Sequence, residues 1–243
     1  MTLSRKYGIM LKSTLEIIPH VYQLTVKGVN IILIAEAELT LVDTGFRGSS
    51  PKVISFIHSL GRSPEEISLI VLTHNHLDHM GGMAELKRLS SAKVAAHKAD
   101  ISNTERQLLY PGVKRKLVSI PPFSILRSLF SVEFGEVDIQ LEGGEVLKPL
   151  GGLKVIHTPG HTPGSISLFS PQNKLLIVGD AINARHKNLR FPPKMIGSDL
   201  RQAVDSVRGL AQLDFDILCV GHGWPLTMNA RAKVQELIEK TKN

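Results

Sequence analysis

The sequence holds a single cysteine, Cys219, which excludes an internal disulfide framework and any metal site built from several thiolates. Its setting, DFDILCV, reads as a buried strand in which the thiol is a small apolar side chain. Aromatic residues make up only 5%, and no apolar run approaches the ~18 residues that a membrane-spanning helix needs. Runs of one charge are missing too. Lys and Arg number 29 against 22 Asp and Glu, yet the basic residues are dispersed and no aromatics interleave them, which disfavours a nucleic acid as partner. The opening MTLSRKYGIMLKSTLEI has no continuous apolar block leading to a small-residue cleavage site, so the expected compartment is the cytoplasm and no membrane association is expected. What the chain does have is 42% hydrophobic residues over 243 positions, enough for a sizeable core, and ten histidines whose positions are not scattered.

Strand and helix signals alternate. EIIPHVYQLTV, VNIILIAE and ELTLVDTG read as antiparallel strands separated by short breaks. A helix follows from Ser49-Ser50-Pro51, with Val53, Ile54, Ile57 and Leu60 as its apolar stripe and Gly61 as its stop. ISLIVL is a short apolar run suited to a strand buried on both faces, MAELKRLSS a helix after Gly81-Gly82, and KVAAH a strand. Residues 98 to 135 are the least regular and are expected to form a helical insertion, opening with a helix through ADISNTERQLL. The second half continues with strands LKVI, SISLF, KLLIV and DILCV, a helix through SDLRQAVDSVRG capped by Ser198 and ended by Gly209, and a last helix through NARAKVQELIEK. The alternation points to the α/β (α+β) class with strands inside and helices outside. No linker-like shift in composition divides the chain, so residues 1–243 are expected to form one domain.

After ISLIVL come Thr73-His74-Asn75-His76-Leu77-Asp78-His79, three imidazoles and a carboxylate in six residues. These are donors that zinc and similar divalent ions prefer. Strand alternation puts His74 and His76 on one side, while Asp78 and His79 lie in the turn beyond and can face a second position, so the spacing suits two adjacent ions. His161 in HTPGHTPGS, Asp180 in LLIVGDA and His222 in LCVGHGW each follow an apolar strand among glycines that permit close backbone approach. The other histidines carry no such context. His157 and His97 are expected to pack or hydrogen-bond, and His20 and His58 to have surface or core roles.

The ordered set VDTG at Asp43, THNHLDH, PGHTPGS around His161, VGDA at Asp180 and GHG at His222 resembles the metallo-β-lactamase superfamily of metal-dependent hydrolases over nearly the whole chain. The resemblance implies a four-layer αβ/βα sandwich with metals at one edge between two sheets. It further implies that His74, His76 and His161 bind one ion, Asp78, His79 and His222 a second, and that Asp180 bridges them. Asp43 is implied to hold the site's loops by hydrogen bonds without touching metal. The implied cofactors are two divalent ions, zinc first, with iron or manganese also accepted by this donor set. Water ionised between the ions would attack a polarised substrate oxygen's carbon or phosphorus, with Asp78 and Asp180 as the carboxylates at the reacting atoms.

The carboxylate at Asp180 is similar to glyoxalase II thioesterases, lactonases and related phosphodiesterases. The expected reaction is hydrolysis of an ester, thioester, lactone or lactam, a β-lactam included, in a small anionic or acyl substrate. Phosphodiester cleavage, or a sulfur dioxygenase using one iron, are the alternatives. Tyr110 is a candidate substrate contact if the insertion folds over the pocket, where PPFSILRSLF would line an acyl site or simply pack. Arg185, His186, Lys187 and Arg190 lie on one stretch beyond Asp180 and are candidates for holding an anionic group, or form a solvated basic loop. The oligomeric state is not encoded in any motif.

Overall fold

Short runs of Val, Ile and Leu, too brief for helices and broken by Gly, Asn and Pro, become the strands that a computed structural model shows for residues 14–101, 136–185, 188–192 and 199–241, with nothing described for the Arg185 side chain. The first sheet has seven strands in sequential order: β1 (Thr14–Ile18), β2 (Val21–Val26), β3 (Val29–Ala35), β4 (Leu39–Val42), β5 (Ile67–Val71), β6 (Lys93–His97) and β7 (Ile139–Leu141). β1 to β4 pair antiparallel and the rest parallel. The change of sense at β4 to β5 needs a crossover, which α1 (Ser50–Ser59) supplies. Two further short helices, α2 (Leu77–Met80) and α3 (Met83–Ser90), lead from β5 to β6, and α4 (Lys98–Ile101) follows β6 directly.

The second sheet contains β8 (Val146–Leu147), β9 (Leu153–His157), β10 (Ile166–Ser170) and β11 (Leu175–Ile177). The hairpin β12 (Asn183–Arg185) and β13 (Asn188–Arg190) stands apart, α5 (Leu200–Leu210) crosses back, and β14 (Ile217–Cys219) joins parallel to β11 before α6 (Ala230–Glu239).

Side-chain alternation sorts these elements into layers. On β3, Ile32 and Ile34 pack between the sheets with Val42, Val71, Leu153, Val155, Ile166 and Leu168, whereas Ile31 and Leu33 face the opposite way against Val53 and Ile57 of α1 and Met83 and Leu86 of α3. On the far side of the second sheet, Leu176 and Leu218 meet Val207 and Leu210 of α5 and Val234 and Leu237 of α6. Helix, sheet, sheet, helix is therefore the order of layers, as expected. Each such side chain, fully buried, contributes about 1.5–3 kcal/mol. Cys219 lies in the inter-sheet core, and burial pushes its thiol up to about 12.

Three expectations need correction. EIIPHVYQLTV is two strands, not one, because Pro19 cannot donate to the ladder and His20 turns the chain at φ +69. The cap of α5 is Asp199, whose carboxylate accepts from Gln202 N at 3.1 Å, instead of Ser198, which lies outside the described residues. Gly209 sits inside α5, which runs on to Leu210 because that residue is anchored in the outer core. Of the expected insertion, only its opening turn, α4, falls within the described residues.

Candidate metal centre

The first sheet delivers its candidate ligands where β5 ends. Asp43, past the end of β4, holds φ +62, a left-handed conformation that Asp tolerates better than most residues. From there Oδ1 accepts from Thr73 N and Oδ2 from Thr73 Oγ1, both at 2.8 Å, and Oδ2 also faces His79 Nδ1 at 2.8 Å. Thr44 ties the same turn down through its N and Oγ1, at 2.6 and 2.9 Å from His79 O. His76 stands at the N-cap of α2, with Asp78 and His79 within its single turn.

The second sheet supplies the rest. His161 lies between β9 and β10, Asp180 in a 3-10 turn after β11, and His222 after β14. The glycine at 221 is a packing requirement, since a Cβ there would collide with Asp180 Oδ1 and approach His79 Cε1 to 2.9 Å.

All seven predicted ligands come together. Donor atoms of His74, His76 and His161 form one group, those of Asp78, His79 and His222 another, and those of His74, His79 and Asp180 link the two, each within 4.8 Å. Asp180 Oδ2 lies 3.6 Å from His161 Nε2 and 3.3 Å from His222 Nε2, and its Oδ1 is 3.5 Å from His79 Nε2. Asp78 Oδ2 completes the second group at 3.3 Å from His222 Nε2.

The outer nitrogens fix the tautomers. His222 Nδ1 donates to Gly28 O at 3.0 Å and His79 Nδ1 to Asp43, while His74 Nδ1, 3.0 Å from Thr73 Oγ1, donates to a hydroxyl whose own proton goes to Asp43. In the neutral form that binds metal, each of these rings turns a bare Nε2 lone pair inward; without metal, His222 shares a second proton there with Asp180 and Asp78. His76 Nδ1 and His161 Nε2 face each other at 2.9 Å, and His79 and His222 Nε2 at 3.3 Å. Lone pairs converging at such distances repel unless a cation or proton lies among them, and the buried His74 Nε2 and Asp180 Oδ1 have no hydrogen-bond partner. The residues therefore fit divalent ions.

Titration follows the same division. Burial first, then neighbouring imidazoles, lower His74 well below the ordinary histidine value, and burial takes His161 down to about 4. At His222 burial works downward, but hydrogen bonds to Asp180 and Asp78 prevail and raise it to about 10. Asp78 goes the other way. Its burial is outweighed by the hydrogen bond to His222 and by the charges of His79 and His222, which bring it to about 2.

Tyr110, His186, Lys187 and the Arg185 side chain lie outside the described residues. Arg190 is exposed on β13 and makes no hydrogen bond or ion pair with the cluster among the described residues. His97 and His157 stack on each other at 4.0 Å and bond to Glu142 O and Pro163 O, in keeping with packing roles, and His20 and His58 are exposed.

Two supports lie beyond the reach of the motifs. Asn30, on β3, sends Nδ2 to Val220 O and Gly223 O, both at 2.8 Å, and its backbone N to Gly221 O, so it grips the His222 loop. Its only signal in the sequence is an Asn within the apolar run VNIILIA. Asp100, on α4, bonds to the loops of both His76 and His161.

A profile of the metallo-beta-lactamase superfamily matches residues 24–222, and the chain belongs to that superfamily. Relatives are named as metallo-hydrolases and as a hydroxyacylglutathione hydrolase, and this chain is an enzyme of the metallo-hydrolase class. It is 28% identical over 239 residues to the probable metallo-hydrolase YflN of Bacillus subtilis (strain 168), covering 90% of each chain. With the hydroxyacylglutathione hydrolase GloC of Haemophilus influenzae it shares 27% over 191 residues, 77% of this chain and 81% of the relative. The fold matches the crystal structure of the metallo-beta-lactamase family protein TTHA1429 from Thermus thermophilus with a TM-score of 0.74 at 24% identity, over 93% of this chain and 81% of that one. The fold and its His and Asp clusters imply binding of divalent metal. No helix among the described residues is long and apolar enough to cross a membrane.

Proposed function

We propose that this chain is a dinuclear hydrolase that opens an ester, thioester, lactone or lactam bond in a small molecule. The observation that carries this reading is Asp180, whose two carboxylate oxygens lie within 3.3–3.6 Å of ligand nitrogens from both triads. His74, His76 and His161 would hold one ion, Asp78, His79 and His222 the other, and Asp180 both. Zinc suits nitrogen and oxygen donors best, and iron and manganese are accepted. When bound, such ions lower the pKa of water and polarise a carbonyl oxygen.

The protein's own residues orient and hold. Asp43 locks His79 and, through Thr73, His74, so two rings cannot turn away. Asp78 stays ionised at neutral pH and serves to aim a water rather than to take its proton. The side chains of His222 and Asp78 are 32% and 24% exposed and His76 is half-buried, while those of His79 and His161 are at 0%, so a substrate reaches the cluster past His76, Asp78 and His222. A relative named for hydrolysing a hydroxyacylglutathione supports an acyl bond as the target.

The test is elemental analysis of the purified protein, then turnover of lactone, thioester, β-lactam and phosphodiester substrates, with His76→Ala as control. Two ions per chain and acyl-bond hydrolysis lost in His76→Ala are expected. Turnover that survives complete metal removal, or that is confined to the phosphodiester, overturns the reading.

A further inference from the structure

The paired cluster depends on two loops from different sheets, one bearing His76 and one bearing His161, standing at a fixed separation. Asp100 is 2% exposed and lies beneath both. Its Oδ1 accepts from Gly164 N at 2.7 Å, and its Oδ2 accepts from Thr162 Oγ1 at 2.7 Å and from Asn75 N at 3.1 Å. Its backbone carbonyl accepts from Asn75 Nδ2 at 2.9 Å. Asn75 immediately precedes His76, and Thr162 immediately follows His161. One carboxylate thus joins the loops through donors one residue from each imidazole, and those imidazoles meet at 2.9 Å. Gly164 makes the close approach feasible, because a Cβ there would fall 2.6 Å from Asp100 Cγ.

We propose that Asp100 is the positioning residue of the three-imidazole half of the site: by clamping the His76 and His161 loops it sets their separation, and so the affinity and ligand geometry of the ion held by His74, His76 and His161. The proposal rests on the dinuclear reading above. Hydrogen-bond chemistry explains why a carboxylate is required. Among the described residues three donors converge on its two oxygens, and none of the three needs a donor in return. An amide of the same shape fails in either orientation, because its NH2 must face Gly164 N–H or Asn75 N–H. Asp100→Asn therefore replaces one attraction with a donor-to-donor conflict while leaving volume unchanged.

The test uses cadmium(II) added to the metal-free full chain, followed by calorimetric titration and cadmium-113 NMR, in which a three-nitrogen site resonates downfield of one with two nitrogens and an oxygen. The wild type is expected to show both resonances. In Asp100→Asn the downfield resonance should weaken or vanish, with a ~10–100-fold loss of affinity at that step, while the other resonance stays. If Asp100→Asn does not fold by circular dichroism, Thr162→Val should reproduce the selective loss and Thr162→Ser, which keeps the hydroxyl, should restore it. Wild-type protein that binds both ions, with variants that lose neither or lose both equally, overturns the clamp alone. Wild-type protein that binds no cadmium overturns the dinuclear reading, and the clamp with it.

Discussion

Replacing Asn30 by Leu separates the support of the His222 loop from the ligands themselves. The side chain is 2% exposed and of similar size to Leu, so the change creates little cavity. What it removes is three hydrogen bonds at 2.8 Å, to Val220 O, to Gly223 O and from Thr25 Oγ1. Val220 O is fully buried, and leaving it unpaired costs ~1–3 kcal/mol. The other two partners are partly exposed and can recruit water, so each costs about 0.5–1 kcal/mol. The total is about 2–5 kcal/mol. Gln23→Leu is the internal comparison, because it breaks only one partly exposed bond, 3.3 Å long, to Gly223 O and should cost less than about 1 kcal/mol. Urea unfolding of the metal-free proteins measures both values. His222, a candidate ligand, donates to Gly28 O on the same hairpin, so Asn30→Leu should also weaken metal binding by the second triad. A loss no larger than that of Gln23→Leu, with metal affinity unchanged, would refute the view that Asn30 holds this loop.

Gly221→Ala drives a methyl group into Asp180, so the protein should keep its circular dichroism but retain less metal by elemental analysis; full loading would show that the carboxylate is free to move. Asp43→Asn must turn an NH2 toward Thr73 or His79, and a ~10–100-fold drop in metal affinity is expected by calorimetric titration. Cys219, held up to about 12 against an ordinary ~8.5, stays protonated when folded. Between those values the native state keeps a proton that the unfolded chain releases, so this stabilising contribution is full below the lower value and declines as pH rises through the window. At pH 8, mass spectrometry should find the native thiol unalkylated by iodoacetamide and the denatured thiol fully modified; rapid native labelling would contradict its burial.

The clustering of the candidate ligands is legible because three histidines and an aspartate in six residues are costly to place anywhere else, and because His161, Asp180 and His222 each end an apolar strand beside glycine. The layers are legible from alternation, as on β3. What stays hidden is whatever depends on a partner far along the chain. Asp100 sits in HKADIS, where an acidic residue in a polar helix start needs no explanation, and its donors lie 25 to 64 residues away. Asn30 gives a faint sign, a residue of low strand propensity inside VNIILIA, but its partners are 190 residues distant. At the start of α5, Ser198 and Asp199 are both competent caps, and only geometry chooses between them. Gly209 costs a helix about 1 kcal/mol, which the burial of Val207 and Leu210 on either side of it offsets.

The three supports differ in what they span. Asp43 joins neighbouring strands of the first sheet, so it orients rings without touching the docking of the two halves. Asp100 reaches from the end of the first sheet to the loop between β9 and β10, and Asn30 from β3 to the turn after β14, so both bonds cross between sheets. Both triads cross as well: His74 and His76 meet His161, and Asp78 and His79 meet His222. Any ion that fills either triad opposes the same separation that these polar bonds oppose, at the open edge where the apolar core between the sheets no longer reaches. Affinity for metal and cohesion of the sandwich are thus linked through the same displacement. That linkage gives a physical reason for buried Asn and Asp at positions where an apolar residue would have packed at less desolvation cost.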